Sequence, residues 1–205
     1  MKGKFIVLEG GEGAGKSSAI SWLKDELSAE HILFTREPGG TFNAEEIREV
    51  ILKHRDDDLD SLTQILLFEA ARREHVLNKV IPALKEGTHV ICDRFSASTY
   101  AYQIIAGGSD AYKDFFLRVD ALAVDGAIPD HTILLDVDPE IGIARRNGAA
   151  EDNNVFDDKK LEFHQNVRIG MKEYLAERPH TIIDAGQTQD EVREAVKHVI
   201  MKEIQ

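Results

Sequence analysis

The chain has 205 residues, 42% hydrophobic and 30% charged, a size and balance that give one globular domain with a sizeable core. Its formal net charge of −12 speaks against a broad nucleic-acid-binding or anionic-membrane surface, and no apolar run reaches the length of a bilayer span. A single cysteine, Cys92, excludes an intramolecular disulfide and fits a cytoplasmic enzyme.

Apolar β-type runs alternate with helical spacing along the whole chain. Residues 5–8 form the first run. It is too short for a secretory signal and enters a glycine loop, so it reads as a strand. Gly10-Gly11-Glu12-Gly13-Ala14-Gly15-Lys16-Ser17 then satisfies G-x-x-x-x-G-K-[ST] between that strand and a helix over 17–27. Glycines let backbone amides approach phosphate oxygens, and the helix start adds its positive dipole end. Lys16 is placed to reach β- and γ-phosphates, and Ser17 to hold Mg²⁺.

A second strand, 32–35, leads into Thr35-Arg36-Glu37-Pro38-Gly39-Gly40-Thr41, a rigid turn able to aim Arg36 inward. A helix over 44–53 follows. His54-Arg55-Asp56 mimics a protein-kinase triplet, but Ser61 stands where the asparagine is needed and no D-F-G follows. Spacing predicts one long helix over 61–84. Phe68 and Arg72 share a face there, able to stack a base and bond its edge or phosphate. Taken alone, the ordinary reading of that pair is a core aromatic and a surface ion pair. Asn78-Lys79-Val80-Ile81 lacks the aspartate of a guanine-binding motif.

Strand 89–92 ends in Cys92-Asp93-Arg94. Asp93 is a Mg²⁺ candidate, directly or through water, and Arg94 a phosphate clamp; a structural ion pair is the competing reading. Ser98, Thr99, Tyr102 and Gln103 follow on a helix over 98–105 and supply hydrogen-bonding groups for a base or sugar. After a helix over 110–124, strand 132–137 leads to a helix over 141–146 carrying Arg145 and Arg146, which either reach donor phosphates or sit on the surface. Residues 147–158 are polar and read as a surface loop or a lid. Helix 159–175, strand 181–183 and helix 190–204 complete the chain. Five strands separated by helices predict an α/β fold, a five-stranded parallel sheet with helices on both faces, whose ligands gather at the carboxyl strand ends.

These motifs together resemble the thymidylate kinase family of P-loop kinases. They are G-x-E-G-A-G-K-S, T-R-E-P-G-G-T, L-F-x-A-x-R-x-x-H, D-R-F-x-x-S-x-x-A-Y-Q and L-D-V-D-P, and the resemblance runs from Lys4 to about Val199. It implies the P-loop NTPase fold, a homodimer, and phosphoryl transfer from ATP to dTMP with Mg²⁺. The implied ATP site is Gly10 to Ser18 with Arg145 and Gln187, the last within a loop beside adenine. The implied dTMP site is Glu9, Arg36, Pro38, Phe68, Arg72, Arg94, Ser98, Thr99, Tyr102 and Gln103. Within it Phe68 stacks thymine, Arg36 and Arg94 hold the phosphate, Thr99 and Gln103 read the base edge, and Tyr102 packs by the deoxyribose. Lys16, Arg94, Arg145, Arg146 and Glu12 form the implied catalytic set, with Ser17 and Asp93 on the metal. Two departures stand out. Residues 147–158 lack any arginine or lysine, which keeps open a homologue that binds nucleotides without transfer. Met171 replaces an expected tyrosine, which keeps open a kinase for another nucleoside monophosphate.

Overall fold

The computed structural model describes residues 2–28, 31–53, 59–147, 156 and 159–205. Its five strands are β1 (Phe5–Gly10), β2 (Ile32–Arg36), β3 (His89–Asp93), β4 (His131–Asp136) and β5 (His180–Asp184). They pair in parallel in the order β2-β3-β1-β4-β5. The expected parallel sheet is therefore present, and the chain reverses direction of winding between β1 and β3, where open α/β sheets form their crevice.

Strand alternation sorts the core onto two faces. Ile6, Leu8, Ile91, Ile133 and Leu135 pack with Ile20 and Leu23 of α1 (Lys16–Glu26) and Val192, Val196 and Ile200 of α9 (Gln189–Ile204). Phe5, Val7, Val90 and Cys92 face the other way, against Val76, Val80 and Leu84. Leu134 joins that face through Tyr102, Val167 and Met171 of the helices beyond it. Every residue of β1 is buried, which explains why its sequence is a continuous apolar run rather than an alternating one.

The helix expected over 61–84 is one helical run in three parts. It comprises α3 (Ser61–His75), a π-helical turn (Val76–Val80) and α4 (Ile81–Lys85). Pro82 is the cause, because it has no N–H and its ring clashes with the carbonyl four residues back. Before it, Ile81 N–H bonds the Val76 carbonyl five residues back. The helix expected over 98–105 starts earlier, as α5 (Ser96–Thr99), and continues as a π-helical stretch (Tyr100–Ala106). That stretch packs on α8 (Leu161–Leu175) at Gly170, where a Cβ would lie 2.9 Å from the Ala101 Cα. The remaining helices are α2 (Phe42–Leu52), α6 (Lys113–Val124) and α7 (Pro139–Asn147). No described helix is long and apolar enough to cross a membrane. His54-Arg55-Asp56 lies outside the described residues.

Candidate active site

Strand register assembles the site. Leu8 pairs with Asp93, and Arg36 also pairs with Asp93. The ends of β2, β3 and β1 are thus level, and Arg36, Asp93 and the loop after Glu9 emerge side by side. Arg94 N–H bonds the Leu8 carbonyl at 2.9 Å, and Glu37 N–H bonds the Asp93 carbonyl at 2.9 Å. Above them lies one cleft of about 760 Å³, lined by the glycine loop, α1, the turn after β2, α3, α5, residues 144–146 in the helix after β4, and the segment that follows β5.

The glycine loop enters α1 through Gly15, which holds a left-handed conformation at φ 87° and offers no side-chain cap. By contrast, the N-termini of α2, α3 and α9 are closed by Thr41, Asp60 and Thr188. The first N–H groups of α1 are thus left for an anion at the positive end of the helix dipole. Lys16 is buried, and its Nζ donates to the carbonyls of Gly10 at 2.8 Å and Gly11 at 3.2 Å. Burial, then the Arg94 guanidinium beside it, lowers its pKa from 10.5 to about 8. The close approach of the loop to α7 is also specific. A Cβ on Gly13 would sit 2.0 Å from the Gly142 carbonyl oxygen, and a Cβ on Gly142 would sit 2.3 Å from that of Glu12. Backbone contact through two glycines sets where Arg145 and Arg146 stand.

At the end of the cleft expected to take the donor, Arg145 donates to the Ala185 carbonyl at 2.6 Å and to that of Gly186 at 3.4 Å, so its guanidinium is fixed beside the loop bearing Gln187. Glu12 lies between Arg146 and Arg94, 3.7 Å from each. Ser17 and Ser18 line this end with Gln187.

At the end expected to take the acceptor, Arg94 has a left-handed backbone (φ 66°), and its side chain lies back over the loop. It donates to the Gly10 carbonyl at 3.2 Å and to Ser98 Oγ at 3.1 Å, with its guanidinium 5.3 Å from the Tyr102 ring centre. Arg36 is half exposed and held by both oxygens of Glu45, at 2.9 and 3.1 Å. Pro38, Phe68, Thr99, Tyr102 and Gln103 line the same end. The Tyr102 hydroxyl, Gln103 Oε1 and Asp93 Oδ1 are buried with no hydrogen-bond partner among the described residues. Such orphaned polar atoms aimed at one cleft mark a ligand or ion that completes them.

Three expected residues stand differently from the reading of isolated motifs. Arg72 is not on the surface. It is 2% exposed, with Nε on Glu37 at 2.9 Å, Nη1 on Glu69 and on Asp120 at 3.2 Å, and Nη2 on Thr99 at 2.9 Å. It borders the cleft, but four of its five N–H groups serve the protein. Glu37 is itself bonded by His75 Nδ1 at 2.8 Å. Glu9 is fully buried and absent from the cleft wall. Its carboxylate accepts from Phe95 N–H at 2.8 Å, Ser98 N–H at 3.1 Å and Ser98 Oγ at 2.6 Å, and so builds the turn that presents Arg94. Met171, which replaces an expected tyrosine, is a core residue beneath Tyr102 rather than a cleft residue. Of 147–158, only Asn147 and Phe156 fall among the described residues. Phe156 enters the cleft, its ring 6.4 Å from Phe68 and 5.7 Å from Tyr102.

Arg48 of α2 was not anticipated. It lines the acceptor end, donates to the Pro38 carbonyl at 2.8 Å, and is pushed below its ordinary pKa by burial and by Arg36. Lys16 and Arg48 are each held below their ordinary pKa, by burial first and then by a neighbouring arginine, and such a cluster of cations inside a protein of net charge −12 describes a pocket built for anions.

The comparisons agree with this geometry. The sequence model of the family described as thymidylate kinase matches residues 8–196. A thymidylate kinase of Limosilactobacillus reuteri is 42% identical over 207 residues, covering 98% of this chain and 96% of that protein. One from Clostridium novyi is 43% identical over 202 residues, covering 96% of this chain and 97% of that protein. The crystal structure of thymidylate kinase from Ehrlichia chaffeensis superposes with a TM-score of 0.77 at 30% identity, covering 98% of this chain and all of that one. A strand-ended cleft with a phosphate loop at its centre, matched over nearly its full length by these relatives, makes this chain a member of the thymidylate kinase family.

Proposed function

We propose that the enzyme transfers the γ-phosphoryl group of ATP to dTMP, giving dTDP and ADP. The observation that carries the reading is one continuous cleft in which Lys16 and Arg94 stand where its donor and acceptor ends meet. In-line transfer requires two phosphate tails to meet despite their mutual repulsion, and fixed cations at the junction offset it. The acceptor oxygen is already ionised, so no general base is needed. Lys16 swings from its loop carbonyls to the donor phosphates. Arg94 and Arg36, with Arg48 behind them, hold the dTMP phosphate, and Glu12 keeps Arg94 and Arg146 from collapsing elsewhere.

On the acceptor side Phe68 stacks the thymine ring, and Gln103 and the remaining N–H of Arg72 meet its edge. Tyr102 lies by the deoxyribose. On the donor side Arg145 offers its flat face to adenine beside Gln187. Ser17 and Asp93 would hold Mg²⁺, and the buried, unpartnered Asp93 Oδ1 suits a hydrated cation. When bound, that ion neutralises charge building on the phosphate oxygens.

A homodimer belongs to the same reading. Helices α3 and α6 pack together and leave Leu66, Phe115 and Leu122 exposed, the last two seven residues apart on one helix face. A cytoplasmic setting accords with the lone, buried Cys92 thiol.

A coupled assay of dTMP, dUMP, dCMP and dGMP with Mg-ATP tests the function, with light scattering for the dimer. dTMP should give the highest kcat/KM, and Lys16→Ala should lose orders of magnitude in turnover while staying folded. Binding of ATP and dTMP by the wild-type protein with no dTDP formed would refute transfer.

A further inference from the structure

The donor end holds a cation that the reading above leaves unused. Arg193, on α9, lines the cleft, and its Nη2 donates to Ser18 Oγ at 2.7 Å. Its Nε is buried without a hydrogen-bond partner. Among the described residues its carboxylate partner is Asp190, at 3.4 Å, and that side chain is 91% exposed. One turn further on, Lys197 pairs with Glu26 of α1 at 2.6 Å, the ordinary way to join these two helices. Arg193 departs from that pattern. It is set against Ser18, the third residue of α1, whose backbone N–H is among those left open for an anion. A cation beside a helix N-terminus is unfavourable on its own, because the dipole presents positive charge there. Lys16 adds a further positive charge nearby. The placement becomes favourable once an anion enters.

We propose that Arg193 is a donor-binding residue whose guanidinium, together with Ser18, binds the phosphate of the nucleoside triphosphate that lies nearest the nucleoside. The position in the chain of phosphates follows from the loop. Lys16 serves the outer two phosphates, while Arg193 lines the cleft with Ser18, Gln189 and Val192, on the helix that follows the loop bearing Gln187, which the reading above sets beside adenine. A guanidinium fork suits this task, since two parallel N–H groups can engage two phosphate oxygens. The inference rests on the donor-end reading above.

The test uses the full chain and ADP as probe, with Arg193→Ala, Arg193→Lys and Lys16→Ala compared by calorimetry and steady-state kinetics. Arg193→Ala should raise the Kd for ADP and the KM for ATP about tenfold, with kcat and the KM for dTMP within about twofold of wild type. Arg193→Lys keeps the charge and should recover part of that loss. The KM for ATP should also depend less steeply on salt in Arg193→Ala. A lowered melting temperature with unchanged Kd for ADP would overturn the proposal and leave Arg193 as a staple between α9 and α1. If Lys16→Ala weakens ADP and Arg193→Ala does not, only the role of Arg193 falls. If neither weakens it, the donor-end reading falls as well.

Discussion

Raising the pH from 7 to 9 should remove most of the positive charge on Lys16, the amine proposed to draw the donor phosphates. Lys16 is buried against the Gly10 and Gly11 carbonyls, and burial together with Arg94 brings its pKa to about 8. By simple titration it is about 90% charged at pH 7 and about 10% charged at pH 9. A bound polyphosphate restores the charge, so binding takes up roughly 0.1 proton at pH 7 and roughly 0.9 at pH 9. Above pH 8 the affinity for ADP should fall towards about tenfold per pH unit. Calorimetry of ADP binding in two buffers of different ionisation heat reads both quantities. Affinity that stays flat to pH 9.5, with no buffer-dependent heat, would refute the reasoning.

The same amine gives stability the opposite slope. Its folded pKa lies below its unfolded one, so between about 8 and 10.5 the unfolded chain binds more protons. Its contribution to the stability of the free protein therefore rises with pH across that window, by an amount on the order of 3 kcal/mol. Lys16→Met should abolish both slopes, leaving a more stable protein at pH 7 that binds ADP poorly at every pH.

Other substitutions probe the supports of the site. Gly142→Ala would normally favour a helix, yet the added methyl meets the Glu12 carbonyl at 2.3 Å. It should lower the melting temperature and reduce kcat/KM for ATP by about tenfold or more, since about 1 Å of displacement is that costly; unchanged kinetics would show that α7 yields freely. Arg72→Met strands Glu37, Glu69 and Asp120 around one buried point and should cost about 3–5 kcal/mol in urea unfolding. A loss below about 1 kcal/mol would remove that cluster from the supports of the fold. Glu9→Ala leaves the Phe95 N–H without its acceptor, whereas the Ser98 N–H keeps the Phe95 carbonyl at 3.0 Å. It should cost about 1–3 kcal/mol for the stranded group and raise the KM for dTMP, because Arg94 loses its turn; an unchanged KM would show that Arg94 is aimed by its own backbone.

The sheet was legible because strands buried on both faces must be apolar throughout, and all five runs appear within one or two residues of their structural bounds. The phosphate loop was legible because its glycines and lysine serve backbone geometry close to home. What sequence spacing hides is the partner across the fold. Arg72 reads as a surface residue on a helix until Glu37 arrives from the turn after β2 and Asp120 from α6. Arg48 and Arg193 sit among the charged faces of amphipathic helices and differ from their neighbours only in what lies opposite. The π-helical turn at Val76–Val80 follows from Pro82, a local cause, whereas the one at Tyr100–Ala106 accompanies close packing on Gly170, which is seventy residues away.

Why Asp93, rather than another acid, is the one to meet a ligand follows from counting donors at the strand ends. All five strands end in or beside a carboxylate. Glu9 accepts from Phe95 and Ser98, and Glu37, just after β2, accepts from Arg72 and His75. Asp136 accepts from Arg168 at 2.5 Å and Lys172 at 2.8 Å, and Asp184 accepts from Gly186 N–H at 2.8 Å. These four are held by the protein and act as brackets that set turns and helices. Asp93 alone has a buried oxygen left with no donor. A carboxylate oxygen in that state is costly unless a cation or a hydrated ion completes it. It stands in register with Arg36 and Leu8, at the level proposed for the meeting of donor and acceptor. The fold thus satisfies its strand-end acids everywhere except at Asp93, the one proposed to hold the metal that neutralises charge during transfer. Asp93→Asn should therefore change folding stability little and weaken the dependence of turnover on Mg²⁺ concentration. A large loss of stability with an unaltered Mg²⁺ dependence would make Asp93 a fifth bracket instead.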